Sequence, residues 1–133
     1  VVVRVRRFRC LACGAVITVV PAGVAARRHF GAGTLGLALA LHGRGDDSVR
    51  EIRDRLGGVG PPEGGGWITL RRWGDAVRRG ALFPRLGAIP IASPRGRAAR
   101  AATILATYAA PALARESFEA QVFAGAVRLA QAA

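Results

Sequence analysis

Ser48-Val-Arg-Glu-Ile52 and Thr69-Leu-Arg-Arg-Trp73-Gly-Asp-Ala-Val-Arg-Arg79 decide how this chain of 133 residues is read. Ser48 and Glu51 stand in the S-x-x-E relation of a capping box, which starts a helix. Val49, Ile52 and Leu56 then fall at i, i+3 and i+7, giving one apolar stripe, and Gly57-Gly58 ends it. In the second stretch Thr69 is placed to be the N-cap and Gly80 lies past the end. At ~100° per residue, Leu70, Trp73 and Val77 share an arc of roughly 60°. Arg71, Arg72, Arg78 and Arg79 share roughly 120° on the other side. Asp75 falls among these arginines and is expected to hold one in place. The spacing therefore predicts two helices, the second with one face for a core and one for an anion. Val59 to Gly66, rich in glycine and proline, separates them and reads as irregular.

Upstream, Val1 to Val5 alternates valine with arginine, the pattern of a strand with one basic face. Cys10-Leu-Ala-Cys13-Gly14 follows, then the β-branched run Ala15 to Val20 and the breaker Pro21-Ala-Gly23. Strand, Cys-x-x-Cys-Gly, strand is the pattern of a zinc knuckle, with two thiolates directed at one tetrahedral Zn2+ ion. Such an ion needs four ligands, and four readings stand side by side. The chain is a ribbon whose other cysteine pair precedes Val1, a ribbon that has lost its metal, a redox pair, or a site completed by His29 and His42. A redox pair should open a helix, whereas strands flank this one. The chain begins at Val1 without methionine and inside a strand, so an incomplete N-terminus is expected.

Arg27-Arg28-His29-Phe30-Gly31 is a basic connector. Leu35, Leu37, Leu39 and Leu41 show a strand-like period of two, but glycine and alanine interleave them. Leu and Ala are strong helix formers, so Ala32 to His42 is expected to be a buried helix. Ala81 to Pro94 reads as a proline-punctuated linker. Arg95 to Ala110 and Arg115 to Ala130 read as two alanine-rich helices, broken at Pro111, that form a hairpin or pack back on the rest. The expected architecture is mainly α. A partial zinc-ribbon-like β-hairpin (residues 1–24) precedes a helix-turn-helix (31–80) and a C-terminal helical region (95–131).

The 20 basic residues are all arginine, against 8 acidic ones, for a formal charge of +12. Arginine presents a planar fork of donors suited to phosphate and to guanine edges, so the balance favours a nucleic-acid partner. A GC-rich genome accounts for the missing lysines but not for the charge. Leu35 to Leu41, the most apolar run, falls short of the ~20 residues of a membrane span, and the chain reads as soluble and cytoplasmic.

Taken together, Val5 to Gly14, Pro21 to Phe30, Leu35 to Gly43, Ser48 to Ile52 with Leu56, and Thr69 to Trp73 resemble a known arrangement. It is the N-terminal zinc ribbon and helix-turn-helix of bacterial insertion-sequence transposases and their stand-alone relatives. The resemblance covers about residues 4–80. Two departures stand out: the second cysteine pair is missing, and Gly57 to Gly66 makes a long connection where a short turn is usual. The resemblance implies duplex DNA as partner, with the second helix in the major groove. Thr69, Arg71 and Arg72 would lie nearest the bases and Arg78 and Arg79 over phosphate, with Ser48 and Arg50 toward the backbone. Cys10 and Cys13 would be zinc ligands.

Asp46, Asp47, Glu51, Asp54, Glu63, Asp75, Glu116 and Glu119 are the acidic residues. Most lie in turns or on the predicted binding helices, without the run of strands a two-metal carboxylate site requires. Gly64-Gly-Gly66 lacks the Lys and the strand of a phosphate loop. The chain is therefore expected to be a transposase-like DNA-binding protein without a catalytic domain. An RNA- or ribosome-associated zinc-ribbon protein and a helical, homodimerising interaction module are the alternatives.

Overall fold

A computed structural model describes residues 6–19, 30–57 and 68–132. Val1 to Val5, the Pro21 breaker, Arg27 to His29 of the basic connector, the Val59–Gly66 stretch and Trp67 lie outside the described residues. Among the described residues, five α-helices and one two-stranded hairpin make up the α-helical and strand structure, as expected for a mainly helical chain.

Strand β1 (Arg6–Arg9) pairs antiparallel with β2 (Val16–Val19), Phe8 opposite Ile17 and Arg9 opposite Val16. Residues 6–17 are all exposed. The connection is closed by Cys10 N–H donating to the Ala15 carbonyl at 2.8 Å and Gly14 N–H to the Cys10 carbonyl at 2.9 Å. Gly14 takes φ 71°, a conformation glycine adopts at little cost.

Helix α1 (Ala32–Arg44) is the central element, with Ala32, Gly33, Leu35, Gly36 and Ala38 to Leu41 all buried. A helix that is apolar on nearly every side must be covered on nearly every side. Helices α4 (Pro94–Thr107) and α5 (Phe118–Gln131) provide most of that cover. The leucine period of two is thus a by-product. Leu35 and Leu39 lie one turn apart in the core, while the glycines of the helix admit neighbouring helices. A Cβ on Gly36 would lie 2.8 Å from Ala126 Cβ of α5, and one on Gly43 2.2 Å from the Ala99 nitrogen of α4. Close helix approach replaces bulky side chains as the source of packing in this alanine-rich core.

Helix α2 (Val49–Arg55) starts with the predicted capping box: Glu51 N–H donates to Ser48 Oγ at 3.3 Å, and Ser48 N–H to Glu51 Oε2 at 2.7 Å. Ile52 is buried, with Val49 and Leu56 half-buried against the same core. Helix α3 (Ile68–Arg78) buries Leu70, Trp73, Ala76 and Val77. Thr69 is inside the helix rather than its N-cap, because Ile68 is already helical. Gly80, at φ 68°, closes the other end. Its N–H donates to Val77 O at 3.1 Å and that of Ala81 to Ala76 O at 2.8 Å, a Schellman motif. Trp73 also meets Phe30 edge-to-face, with ring centroids 5.2 Å apart.

Several boundaries differ from expectation. The stretch after α3 is more than a linker: Leu82, Phe83 and Ile89 are buried in the core. α4 begins at Pro94 behind Ser93, whose Oγ accepts from Gly96 N–H, because proline suits the first helical position. It ends at Thr107, three residues short of the predicted Ala110. α5 begins at Phe118 rather than Arg115, capped by Ser117 Oγ accepting from Ala120 N–H. The α4–α5 hairpin packs on α1, so residues 32–129 share one buried cluster.

Candidate nucleic-acid interface

Helix α3 divides cleanly. Its buried stripe faces α4 and α1, while Arg71, Arg72, Arg78 and Arg79 are exposed on the opposite side. None of these four has a carboxylate partner among the described residues. Asp75 does not hold an arginine of its own helix, contrary to the sequence reading. Its Oδ1 lies 3.5 Å from Nη1 of Arg97, on α4.

Arg97 is the residue that sequence reasoning missed. It is buried, and its guanidinium donates to three backbone carbonyls: Ile91 at 3.0 Å, Gly74 at 3.0 Å and Ala92 at 3.2 Å. A planar fork with several donors suits such a cluster of acceptors where an ammonium would not. One arginine therefore ties the middle of α3 to the start of α4, and the basic face is held on a fixed frame. The only available signal was the position of Arg97 one turn inside a helix that Ser93 and Pro94 open.

The four exposed arginines are not electrostatically equivalent. Arg78 and Arg79 sit at the negative end of the helix dipole, where a cation stabilises a helix by about 0.3–1 kcal/mol. Arg71 and Arg72 follow a first turn without acidic residues, at the positive end. There a cation opposes the dipole, so helix stability gives no reason for the pair. An anion placed at that end meets the dipole and two guanidinium forks at once.

On α2, Arg50 is exposed, and the Ser48 hydroxyl already accepts the capping hydrogen bond. Arg55 is engaged in an ion pair with Asp47. Glu51 is held below the usual carboxylate range by its hydrogen bonds with the Ser48 side chain and backbone. Val49 of α2 and Ile68, Leu70 and Arg71 of α3 line a common cavity of about 250 Å³, with His42 of α1 and Arg97 of α4. The start of α2 and the start of α3 thus border one hollow. Burial, and to a smaller extent the charge of Arg95, lowers the pKa of His42, favouring its neutral form.

Cys10 and Cys13 are both exposed, free thiols. The Cys13 backbone amide, then the Cys13 side chain and the Ala12 amide, direct hydrogen bonds toward Cys10 and hold its thiol below the ordinary value. Two exposed thiols three residues apart, on a turn that Gly14 closes, fit two of the four ligands of a zinc ion. Among the described residues no three His, Cys, Asp or Glu stand together as a metal site. Of the other acidic side chains, Asp47, Glu51 and Asp75 are engaged in the ion pairs and the cap already given. Among the described residues no helix is long and apolar enough to cross a membrane.

The chain matches no protein-family model, no curated protein and no solved structure.

Proposed function

We propose that this chain is a transposase-like DNA-binding protein that engages duplex DNA through the arginine face of α3 and carries no strand-transfer centre of its own. One observation carries the reading: Arg71 and Arg72 stand exposed near the positive end of a helix whose other face is locked into the core, with no carboxylate partner among the described residues. Phosphate is the ligand that would meet both guanidinium groups and the positive end of the dipole together. In this reading Thr69, Arg71 and Arg72 would meet base edges, Arg78 and Arg79 would lie further along over phosphate, and α2 would offer Ser48 and Arg50 to the DNA backbone. Cys10 and Cys13 contribute two ligands to a zinc ion in the hairpin.

The arginines of the hairpin, Arg6, Arg7 and Arg9, are also exposed, and Phe8 between them is a stacking surface that single-stranded or structured RNA would use. Competition separates the two partners. With labelled duplex DNA bound, unlabelled duplex should displace it at lower concentration than structured RNA of equal length. Preferential displacement by RNA, abolished by replacing Arg7 and Arg9 but not Arg71 and Arg72, would transfer the function to the hairpin.

A further inference from the structure

We infer that the hairpins of two copies of this chain meet, and that Cys10 and Cys13 of both copies hold one zinc ion between them. The inference rests on the reading of the two cysteines as zinc ligands.

Structural zinc takes four ligands in a tetrahedron. The hairpin supplies two, three residues apart, and no third candidate joins them among the described residues. His42 lines the cavity among α1, α2, α3 and α4. A two-fold axis through the ion doubles a two-ligand set into four, as isologous interfaces do. The knuckle is already shaped for this, with both thiols exposed, Gly14 in the left-handed conformation and the turn closed by two backbone hydrogen bonds.

The surface around the thiols supports the same occupant. Leu11, between the two ligands, is 100% exposed, and the cross-strand partners Phe8 and Ile17 are 53% and 61% exposed. Apolar side chains grouped on so small a hairpin are surface that a second copy would cover. Charge points the same way. Four thiolates around Zn2+ leave the centre net negative, and Arg7 and Arg9, exposed on the strand that leads into each pair, are available as countercharge. Without the ion, the arginines of two approaching hairpins repel and oppose that apolar contact, so association is expected to depend on metal. Each thiol gives its proton to solvent as its sulfur–zinc bond forms, and no electron transfer is involved.

Sedimentation and metal analysis of the full reduced chain test this, first in chelator and then with added zinc. The expected result is a monomer in chelator and a doubling of mass with zinc, at about one ion per two chains. Cobalt in place of zinc should give the thiolate charge-transfer bands of an all-sulfur tetrahedral site. The C10S/C13S variant should stay monomeric and metal-free while keeping the helical circular dichroism of the parent. A monomer carrying one zinc per chain would overturn the shared site while leaving the ligands in place. No zinc uptake at all would overturn the ligand reading itself. A dimer indifferent to chelator and to C10S/C13S would assign pairing to another surface.

Discussion

Nη1 of Arg97 lies 3.0 Å from the Gly74 carbonyl oxygen, so an arginine of α4 is hydrogen-bonded to the backbone of α3 at the level where its buried stripe gives way to the basic face. The same guanidinium reaches Asp75 and the Ile91 and Ala92 carbonyls. Arg97→Ala would strand these acceptors in a buried place and should cost about 2–4 kcal/mol in urea unfolding. Arg97→Lys should recover only a minor part, since an ammonium cannot span the same acceptors. Asp75→Asn should cost less than about 1 kcal/mol, because that carboxylate is half exposed. Equal losses for Arg97→Ala and Asp75→Asn would show that the ion pair, not the carbonyl set, is the link.

Helix α2 depends on its cap. Ser48→Ala removes the acceptor of Glu51 N–H and should cost about 1 kcal/mol of stability. The loss is read as a shift of the urea midpoint at unchanged slope. Should Ser48→Ala leave the midpoint in place, α2 is held by Ile52 packing alone.

Close approach of helices sets the cost at Gly125. A Cβ there would lie 1.9 Å from the Leu105 carbonyl oxygen, a backbone atom with no room to retreat. Gly125→Ala should therefore destabilise by about 1–3 kcal/mol or more. Gly57→Ala meets no atom of the described residues and has only a φ of 67° to oppose, for about 1–2 kcal/mol. Thermal melts of the two variants compare a clash with a backbone preference, and the clash should be the larger.

Acid should weaken the packing around His42. Its pKa in the fold is below the ordinary 6.5, chiefly through burial and then through Arg95. The unfolded chain thus binds the proton more tightly. The contribution of His42 is complete above pH 6.5 and is lost as pH falls through the lowered folded value. His42→Gln should flatten the decline in stability below pH 6.5. An unchanged slope would place the acid sensitivity in the carboxylates instead.

The sequence made α2 and α3 legible because their apolar residues keep helical spacing and because S-x-x-E and a terminal glycine mark the ends. Ser48, Glu51, Leu70, Trp73, Val77 and Gly80 stand in the roles the pattern assigned. Thr69 misled because a threonine before a periodic run looks like a cap, yet Ile68 is already helical. Ala81 to Pro94 looked like a linker because its buried residues, Leu82, Phe83 and Ile89, follow no period and serve the core one at a time. Arg97 was invisible for a different reason. Among 20 arginines, nothing local separates a buried one from the exposed ones, because its acceptors on Gly74, Ile91 and Ala92 are backbone atoms. The four-arginine face was legible as a face, since it lies opposite the stripe that the core requires.

The double variant R71A/R72A, measured for both folding and binding, bears most directly on the claim that α3 meets DNA. Stability should be unchanged or slightly raised, because two cations leave the positive end of the helix. Duplex affinity by fluorescence polarisation should fall tenfold or more, and the slope of log K against log salt should shrink by about 1–2. The companion R78A/R79A should instead lose a little stability along with affinity. Unchanged duplex affinity and salt slope in a folded R71A/R72A would contradict the account and leave the arginines of α3 a solvated face.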